Sequence, residues 1–227
     1  MRRRAVACLL TICASLFFLS SCQKSFEREE RLSMQDIYRY QQEFGTAGGV
    51  TGESSLEWLA LQDAVLLAKM TGWEDCYFVF TNQGDIEIKK ERDYASSLFQ
   101  YPGRIWTLRV LDVGAGALKG REKIIRVLDV SAAINGALEQ TPAFELGQVF
   151  VCGVTNAPRV KNPLGQDWEM YMTFRTVTYR IVPGGYIFRC DPDAEDAMDG
   201  WRLDLFFYRV KQLRERVWLD VWMSQQG

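Results

Sequence analysis

The pattern of polar and apolar residues predicts a first helix near the start of the chain. Ser33 and Asp36 lie three residues apart, which is the spacing of a capping box, and Gly45 is a common stop signal. A helix is therefore predicted over 34–44. The glycine-rich stretch 45–52 follows. No Gly-Lys-Ser or Gly-Lys-Thr comes after it, so we interpret it as a linker and not as a phosphate-binding loop.

A second, longer helix is predicted over 54–71. Ser54 and Glu57 repeat the capping spacing, and Gly72 supplies the next stop. Apolar residues at helical spacing form one face, which consists of Leu56, Leu59, Ala60, Leu67 and Met70. A neighbouring face is also apolar, so this helix should be deeply buried. Asp63 falls on the first face and would need a polar partner there.

After Gly72 the pattern changes to the alternation that is typical of strands. The predicted strands are 76–81, 85–89, 104–113, 123–130, 146–154, 168–182, 186–190, 201–210 and 217–223. Short helices are predicted over 93–100 and 131–139. Within 168–182 the apolar residues change parity, which predicts a bend or bulge near 175–176, or one strand that serves two sheets. The whole pattern indicates an α+β fold with two N-terminal helices followed by a mostly antiparallel β-sheet or sandwich of about eight strands.

The first 22 residues follow a different pattern. Arg2, Arg3 and Arg4 precede an apolar run over 5–19, and Ser20-Ser21-Cys22 follow it. The run is fifteen residues long. That length suits the hydrophobic region of a signal peptide and falls short of the ~20 residues of a permanent membrane span. An ordinary secretory signal cleaved near Ser21 and an uncleaved anchor helix are the alternative interpretations.

This arrangement resembles a bacterial lipoprotein signal peptide, in which small residues precede a cysteine that is lipidated and becomes the new N-terminus. The resemblance implies a covalent lipid on Cys22, a diacylglycerol together with an N-acyl chain such as palmitate. Two or more acyl chains give stable membrane anchoring. By analogy with enteric bacteria, Gln23 in place of an aspartate implies export to the outer membrane of the cell envelope.

The predicted domain organisation follows from this resemblance. Residues 1–21 are the signal peptide, residues 22–33 are the lipidated cysteine and its tether, and residues 34–227 form a single globular α+β domain.

Composition narrows the chemistry. The chain has no histidine, which removes Ser-His-Asp and Cys-His catalysis and most zinc and copper sites. Without residues 1–21 it carries 24 basic and 29 acidic residues, and this acidic balance disfavours nucleic-acid binding. We therefore predict no enzymatic activity, no nucleic-acid partner, and no cofactor other than the lipid.

Three cysteines remain after Cys22. Cys76, Cys152 and Cys190 have neither a redox-motif nor a metal-ligand spacing. We interpret them as small buried apolar residues within strands. The alternative is one disulfide, Cys152–Cys190, with Cys76 as a free thiol.

The densest acidic segment is a candidate ligand or metal loop. Its carboxylates are Asp191, Asp193, Glu195, Asp196 and Asp199. Oxygen ligands at this density could hold Ca²⁺, although their spacing does not match an EF-hand. A solvated loop between strands is the preferred interpretation. A pair of carboxylates here could also serve glycoside hydrolysis.

Most of the seven tryptophans should pack in the core. Trp168 and Trp201 each begin a predicted strand beside a loop, so they are the candidate aromatic contacts to a ligand such as a sugar.

These features favour a membrane-anchored cell-envelope lipoprotein with a non-enzymatic binding or assembly role. Its partners would be the membrane, through the lipid, and an envelope protein or polysaccharide. The alternatives are a lipid-anchored carbohydrate-binding module and a histidine-free glycoside hydrolase that uses two carboxylates. An exposed row of Trp or Tyr rings, two carboxylates that face each other, or an apolar patch with a polar rim would distinguish the three.

Overall fold

A computed structural model of the protein describes residues 30–44, 55–96, 98–120, 123–134, 137–138, 143–190 and 198–224. The described helices are α1 (Met34–Phe44), α2 (Ser55–Leu61) and α3 (Leu203–Ser224). The described strands are β1 (Ala64–Phe80), β2 (Ile86–Lys89), β3 (Tyr101–Gly116), β4 (Ile124–Asp129), β5 (Ala133–Ile134), β6 (Ala137–Leu138), β7 (Val149–Asn156), β8 (Val160–Lys161), β9 (Asp167–Trp168), β10 (Tyr171–Thr173), β11 (Thr178–Val182) and β12 (Tyr186–Arg189). The predicted α+β class is therefore correct in outline.

Ten of these strands form one mixed sheet, and five of them close into a ring. β1 pairs antiparallel with both β3 and β7, and β3 pairs antiparallel with β4. β10 completes the ring because it lies parallel to β4 and antiparallel to β7. The sheet then extends outward from β1 through β2, β8 and β9, and from β7 through β11 and β12. Eight of the ten described pairings in this sheet are antiparallel, and two, β4–β10 and β2–β8, are parallel, so the sheet is mixed.

The inside of the ring is a closed apolar cluster. Alternate residues of β1, β3, β4 and β7 supply most of its buried members, together with Phe144 and Cys190, and Tyr171 of β10 packs against them. The ring centroids of Phe144 and Phe150 lie 3.8 Å apart, and Trp106 meets both edge-on at 5.8 and 5.7 Å. Large aromatic rings at these distances fill the interior, so the ring encloses a packed core and not a channel.

Two helices cover one outer face of the ring. α2 and α3 contact each other, and Leu59, Phe206, Phe207 and Val210 pack on the strands beneath them. Gly114 in β3 permits this close approach, because a Cβ there would overlap the Phe207 ring. α1 lies elsewhere, where it packs against β11 and β12.

The first helix forms as predicted. It spans Met34–Phe44, and the Asp36 amide donates to Ser33 Oγ at 3.2 Å while that hydroxyl donates to the Asp36 carboxylate at 2.7 Å. This reciprocal cap is local in sequence, so it could be recognised without tertiary information.

The second predicted helix is wrong beyond Leu61. The chain changes there into β1, which runs without interruption from Ala64 to Phe80. Ala64, Leu66, Ala68 and Met70 face the inside of the ring, whereas Val65 lies under the helices. A strand that is buried on both faces is apolar at both parities, and this resembles the wide apolar surface of a buried helix.

Asp63 lies in the short bend between α2 and β1 and has the polar partner that its position requires. The Asp63 carboxylate accepts hydrogen bonds from the backbone amide and the side-chain amide of Asn156, at 2.7 and 2.8 Å.

Four other predicted elements are also wrong. Residues 201–210 and 217–223 belong to the single helix α3 and its approach, not to a pair of strands. Residues 133–134 and 137–138 pair as short strands where a helix was predicted. Residues 93–100 contain no helix among those described, because the Asp93 carboxylate accepts from the Ala95 amide and the Gln100 side chain bonds both backbone groups of Asp93.

The bend predicted near 175–176 is confirmed. A 3-10 turn over Arg175–Val177 separates β10 from β11 and lets the apolar residues change face. The buried-cysteine interpretation is also confirmed, since Cys76, Cys152 and Cys190 are free and buried, and no Cys152–Cys190 disulfide is present.

Replacement of Gly114 with alanine should destabilise the fold by about 1–3 kcal/mol, because the added methyl must displace the Phe207 ring. Urea unfolding followed by circular dichroism measures this. Gly72→Ala is the matched control, since its Cβ would meet the Thr107 Cβ only at 3.7 Å. Equal midpoints for the two variants would show that α3 does not rest on Gly114.

Candidate functional site

A cleft of about 510 Å³ opens beside β4 and β10. Its walls come from the segment 118–120, from β4, and from the two ends of the 156–171 region. The polar and aromatic residues that line it are Lys119, Arg126, Asn156, Arg159, Trp168, Glu169 and Tyr171. Clefts of this volume are typical of small-ligand sites.

Arg126 and Trp168 meet in this cleft. The guanidinium carbon of Arg126 lies 4.4 Å from the centre of the Trp168 ring, within the range of a cation–π contact. Trp168 is partly buried and packs against the apolar cluster that β2 and β8 share with Met170. The indole therefore provides a fixed surface for an exposed arginine side chain.

Hydrogen bonds fix two further groups. Tyr171 Oη accepts from the Lys119 amide at 3.0 Å, so its own hydroxyl proton can be donated to another group. The Asn156 side-chain NH₂ donates to Asp63 at 2.8 Å, which orients the amide and leaves its carbonyl oxygen as an acceptor.

The charges of the cleft lining are mainly positive. Lys119, Arg126 and Arg159 contribute three cations, and Glu169 contributes one carboxylate. The Arg159 guanidinium donates to Asp167 at 2.9 Å, and this hydrogen bond raises the pKa of Arg159. The lining offers no second carboxylate to face Glu169, so the two-carboxylate arrangement of a glycoside hydrolase does not form among the cleft residues described.

The structure separates the two tryptophans that the sequence singled out. Trp168 lines the cleft, whereas Trp201 is partly buried against the α2–α3 layer, with Arg209 at 5.8 Å from its ring centre. Among the described side chains, Trp58 and Trp73 are the exposed tryptophans, at 51% and 39%. The expectation that Trp168 and Trp201 would be the most exposed is therefore wrong for the described residues.

Most of the predicted acidic loop lies outside the described residues, because Asp191, Asp193, Glu195 and Asp196 fall in 191–197. Asp199 is described and is buried. Its carboxylate accepts hydrogen bonds from Gln41 Nε2 at 3.0 Å and from the Arg189 amide at 2.9 Å, which ties α1 to β12. Among the described residues, no three His, Cys, Asp or Glu side chains are placed to hold a metal ion.

The lipidation site also lies outside the described residues, since Cys22 is in the stretch 1–29. The pKa values of the three described thiols are raised, which favours the protonated, unreactive form. Burial raises the pKa of Cys76 to about 12 and that of Cys190 to about 11, and it also raises the pKa of Cys152. Thiolates are the reactive form, so these cysteines are unsuited to nucleophilic or redox chemistry.

A second surface was missed by the sequence analysis. Phe80, Phe99 and Tyr101, the aromatic patch, are exposed by 49%, 68% and 43%. Tyr101 meets Phe99 at 4.6 Å and Phe80 at 6.0 Å, with interplanar angles of 64° and 68°. Arg92 lies beside the patch, and its guanidinium covers the ring of Tyr94, which is 88% exposed. The available sequence signal was the group of aromatic residues within the charged connection 90–101.

No described helix combines the length and the apolar character that are needed to cross a membrane. No protein-family model, curated protein or solved structure matches the chain.

The fold also contains a buried carboxyl group, that of Asp129. Asp129, at the end of β4, accepts hydrogen bonds from the Ser131 amide and hydroxyl at 3.0 and 2.9 Å. Burial raises the pKa of Asp129 to about 6, against the opposing effects of those bonds and of Arg175 and Arg104. Arg104 is buried beside it and donates to Asp75 at 2.7 Å.

The raised pKa of Asp129 predicts a pH-dependent contribution to stability. The contribution is fully present below the carboxyl's ordinary pKa of 3.8 and is lost as the pH rises through about 6. Asp129→Asn stays neutral throughout. Its melting temperature should therefore rise relative to that of the native protein by several degrees between pH 4 and pH 7, measured by thermal unfolding. Effects of other carboxyls cancel in this comparison, so parallel pH profiles would contradict the assignment.

Proposed function

We propose that the protein is a lipid-anchored, non-enzymatic cell-envelope protein whose folded domain binds an apolar surface of a protein partner through the aromatic patch. The exposed patch of Phe80, Phe99 and Tyr101 is the observation that carries this proposal. Monomeric proteins rarely leave adjoining large apolar side chains in water, and aromatic residues dominate the binding energy of protein interfaces.

The geometry of the patch favours a protein over a sugar. Its rings meet edge-to-face, so they do not share the flat plane on which a pyranose would stack. The exposed Arg92 lies beside the patch and supplies a charged group at its border. Polar groups at the border of an apolar centre are part of the usual anatomy of a protein interface.

The anchor supports a role at the envelope. A diacylglycerol and an N-acyl chain on Cys22 would hold the domain at the outer membrane, as the resemblance to lipoproteins implies. Confinement to a surface raises the effective concentration of neighbouring envelope complexes, so a modest interface would suffice for assembly.

The position of the patch suits a partner better than it suits the lipid surface. The first described residues bond to the segment 200–202, which covers the outer edge of β12. The pairings from β12 through β11 and β7 place this edge level with Lys69 of β1. Phe80 lies eleven residues further along β1, or roughly 35 Å at the rise of a strand. The patch is thus remote from the point at which the tether leaves the domain.

An enzymatic role has less support. The chain contains no histidine, and the described thiols are buried. The part of the cleft lining that the structure describes carries a single carboxylate. The proposal is therefore one of binding and not of hydrolysis.

The anchor is tested by Cys22→Ala. The native chain should incorporate labelled palmitate and remain with membranes after lysis, because acylation of Cys22 is its attachment. The Cys22→Ala variant should incorporate no labelled palmitate, and it should therefore lack the membrane attachment that an acyl chain provides. An intact-mass spectrum of the native protein with an unmodified N-terminus would refute lipidation.

The patch is tested by the double variant Phe80→Ser, Phe99→Ser. Capture from cross-linked native membranes should yield a specific partner with the native protein. The amount of this partner recovered with the double variant should be lower by about tenfold or more, because truncation of hot-spot residues causes losses of this size. Phe174→Ser is the matched control, since Phe174 is 41% exposed and lies outside the patch. Equal recovery with the double variant and the control, at unchanged melting temperatures, would refute docking through the patch.

A further inference from the structure

We propose that the cleft beside β4 binds an acidic sugar, that is, a pyranose that carries a carboxylate, and that Arg126 binds this carboxylate. The inference concerns a different surface from the aromatic patch and does not depend on the protein partner. The two surfaces share no residues.

The positive charge of the cleft lining determines that its ligand should be negatively charged. Arg159 is engaged by Asp167, and within the described residues neither Lys119 nor Arg126 forms an ion pair. Among the described residues of the lining, Glu169 is the single opposing charge. The mature chain as a whole is acidic, so this local excess of cations is a distinct feature of the cleft and favours an anion.

The contact with Trp168 prepares Arg126 for a planar anion. The guanidinium lies over the indole ring at 4.4 Å, and its N–H donors project from the edge of the guanidinium plane. A carboxylate can accept two parallel hydrogen bonds from such an edge. Because the ring restricts the side chain before binding, less conformational entropy is lost when the ligand arrives.

The remaining polar groups require a ligand that also donates hydrogen bonds. The side-chain NH₂ of Asn156 donates to Asp63, so the side-chain carbonyl oxygen of Asn156 can accept a hydrogen bond from a ligand. Glu169 adds a carboxylate acceptor. Tyr171 can donate its hydroxyl proton, because its oxygen accepts from Lys119. An acidic sugar supplies both the carboxylate for Arg126 and the hydroxyl donors for these acceptors, whereas a bare inorganic oxyanion supplies few or none.

Trp168 has an unusual place in this site. In a stacking site the indole would lie against the sugar ring. Here Arg126 lies over the indole of Trp168, and the indole also packs against the apolar cluster that contains Met170. Recognition would therefore rest on charge and hydrogen bonds, with Trp168 as a positioning residue.

Calorimetric titration of the detergent-solubilised, full-length protein tests the ligand class. The probes are trigalacturonate, the tri-uronates of glucuronic and mannuronic acid, neutral galactotriose of the same linkage as trigalacturonate, and inorganic phosphate. At least one acidic trisaccharide should bind about tenfold more tightly than the neutral one, and this preference should shrink with added salt. Affinities for all three acidic trisaccharides that equal the affinity for galactotriose would overturn the assignment of charge. Binding of phosphate alone, or of none of the probes at millimolar concentration, would overturn the assignment of an acidic sugar.

Variants assign the contact to Arg126. Arg126→Gln should weaken binding of the acidic trisaccharide about tenfold or more and leave weak binding of the neutral one unchanged. Arg109→Gln is the matched control, because it removes one exposed cation from neighbouring β3 outside the cleft lining. Arg126→Lys should give an intermediate affinity, since it keeps the charge and loses the planar pair of donors. Equal losses in Arg126→Gln and Arg109→Gln would refute a specific contact.

The two proposals fail separately. The Phe80→Ser, Phe99→Ser variant should bind the acidic trisaccharide like the native protein, because the patch contributes nothing to the cleft lining. Loss of sugar binding in that variant at an unchanged melting temperature would show that the cleft and the patch are one site.

Discussion

The two-sided burial of β1 is the constraint on which the rest of the structure depends. Its first half pairs with β3 on one side and with β7 on the other, its inward residues fill the ring, and its outward residues lie beneath α2 and α3. Register shifts at three places along the β1–β3 pair bend the strand, as bulges do, and this bend lets one strand close the ring. The second half of β1 continues to pair with β3 as far as Phe78, and its last residues, 77–80, pair with β2 on the other side. A single strand thus connects the packed core to the region that bears the aromatic patch.

Close approach of the layers depends on positions that lack a side chain. Gly114 allows Phe207 to lie directly on β3, and Gly153 allows Gln62 and Leu59 to lie directly on β7. The Gln62 side chain then bonds to Trp58 and Thr155, and Arg214 of α3 donates to the Gln62 carbonyl. Polar contacts just after the C-terminal end of α2 and near the middle of α3 therefore add to the apolar contacts along the two helices and fix their position on the ring.

The elements that sequence analysis predicted correctly are those with local causes. The Ser33–Asp36 cap defines α1 within four residues, and Gly84, at a φ of 81°, supports the tight turn between β1 and β2. The errors arise where tertiary burial sets the pattern. The apolar residues of 64–70 serve two layers and resemble a helix, and those of α3 become helical through contact with β3 and α2, which are distant in sequence. The aromatic patch could not be predicted from the sequence for a related reason. Phe80 and Phe99 come together only through the β1–β3 register, in which Phe78 faces Tyr101.

Two arginine–tryptophan contacts show why the cleft keeps its charge. Arg104 lies over Trp73 at 4.7 Å, but it is buried and its guanidinium also donates to Asp75, so its charge is compensated within the fold. Arg126 lies over Trp168 in the same way, yet it is exposed, and no carboxylate among the described residues forms an ion pair with it. An aromatic ring can hold a guanidinium in place without neutralising it, whereas a carboxylate does both. In a chain with an acidic balance, the indole of Trp168 is thus the kind of contact that presents a positive charge to a ligand.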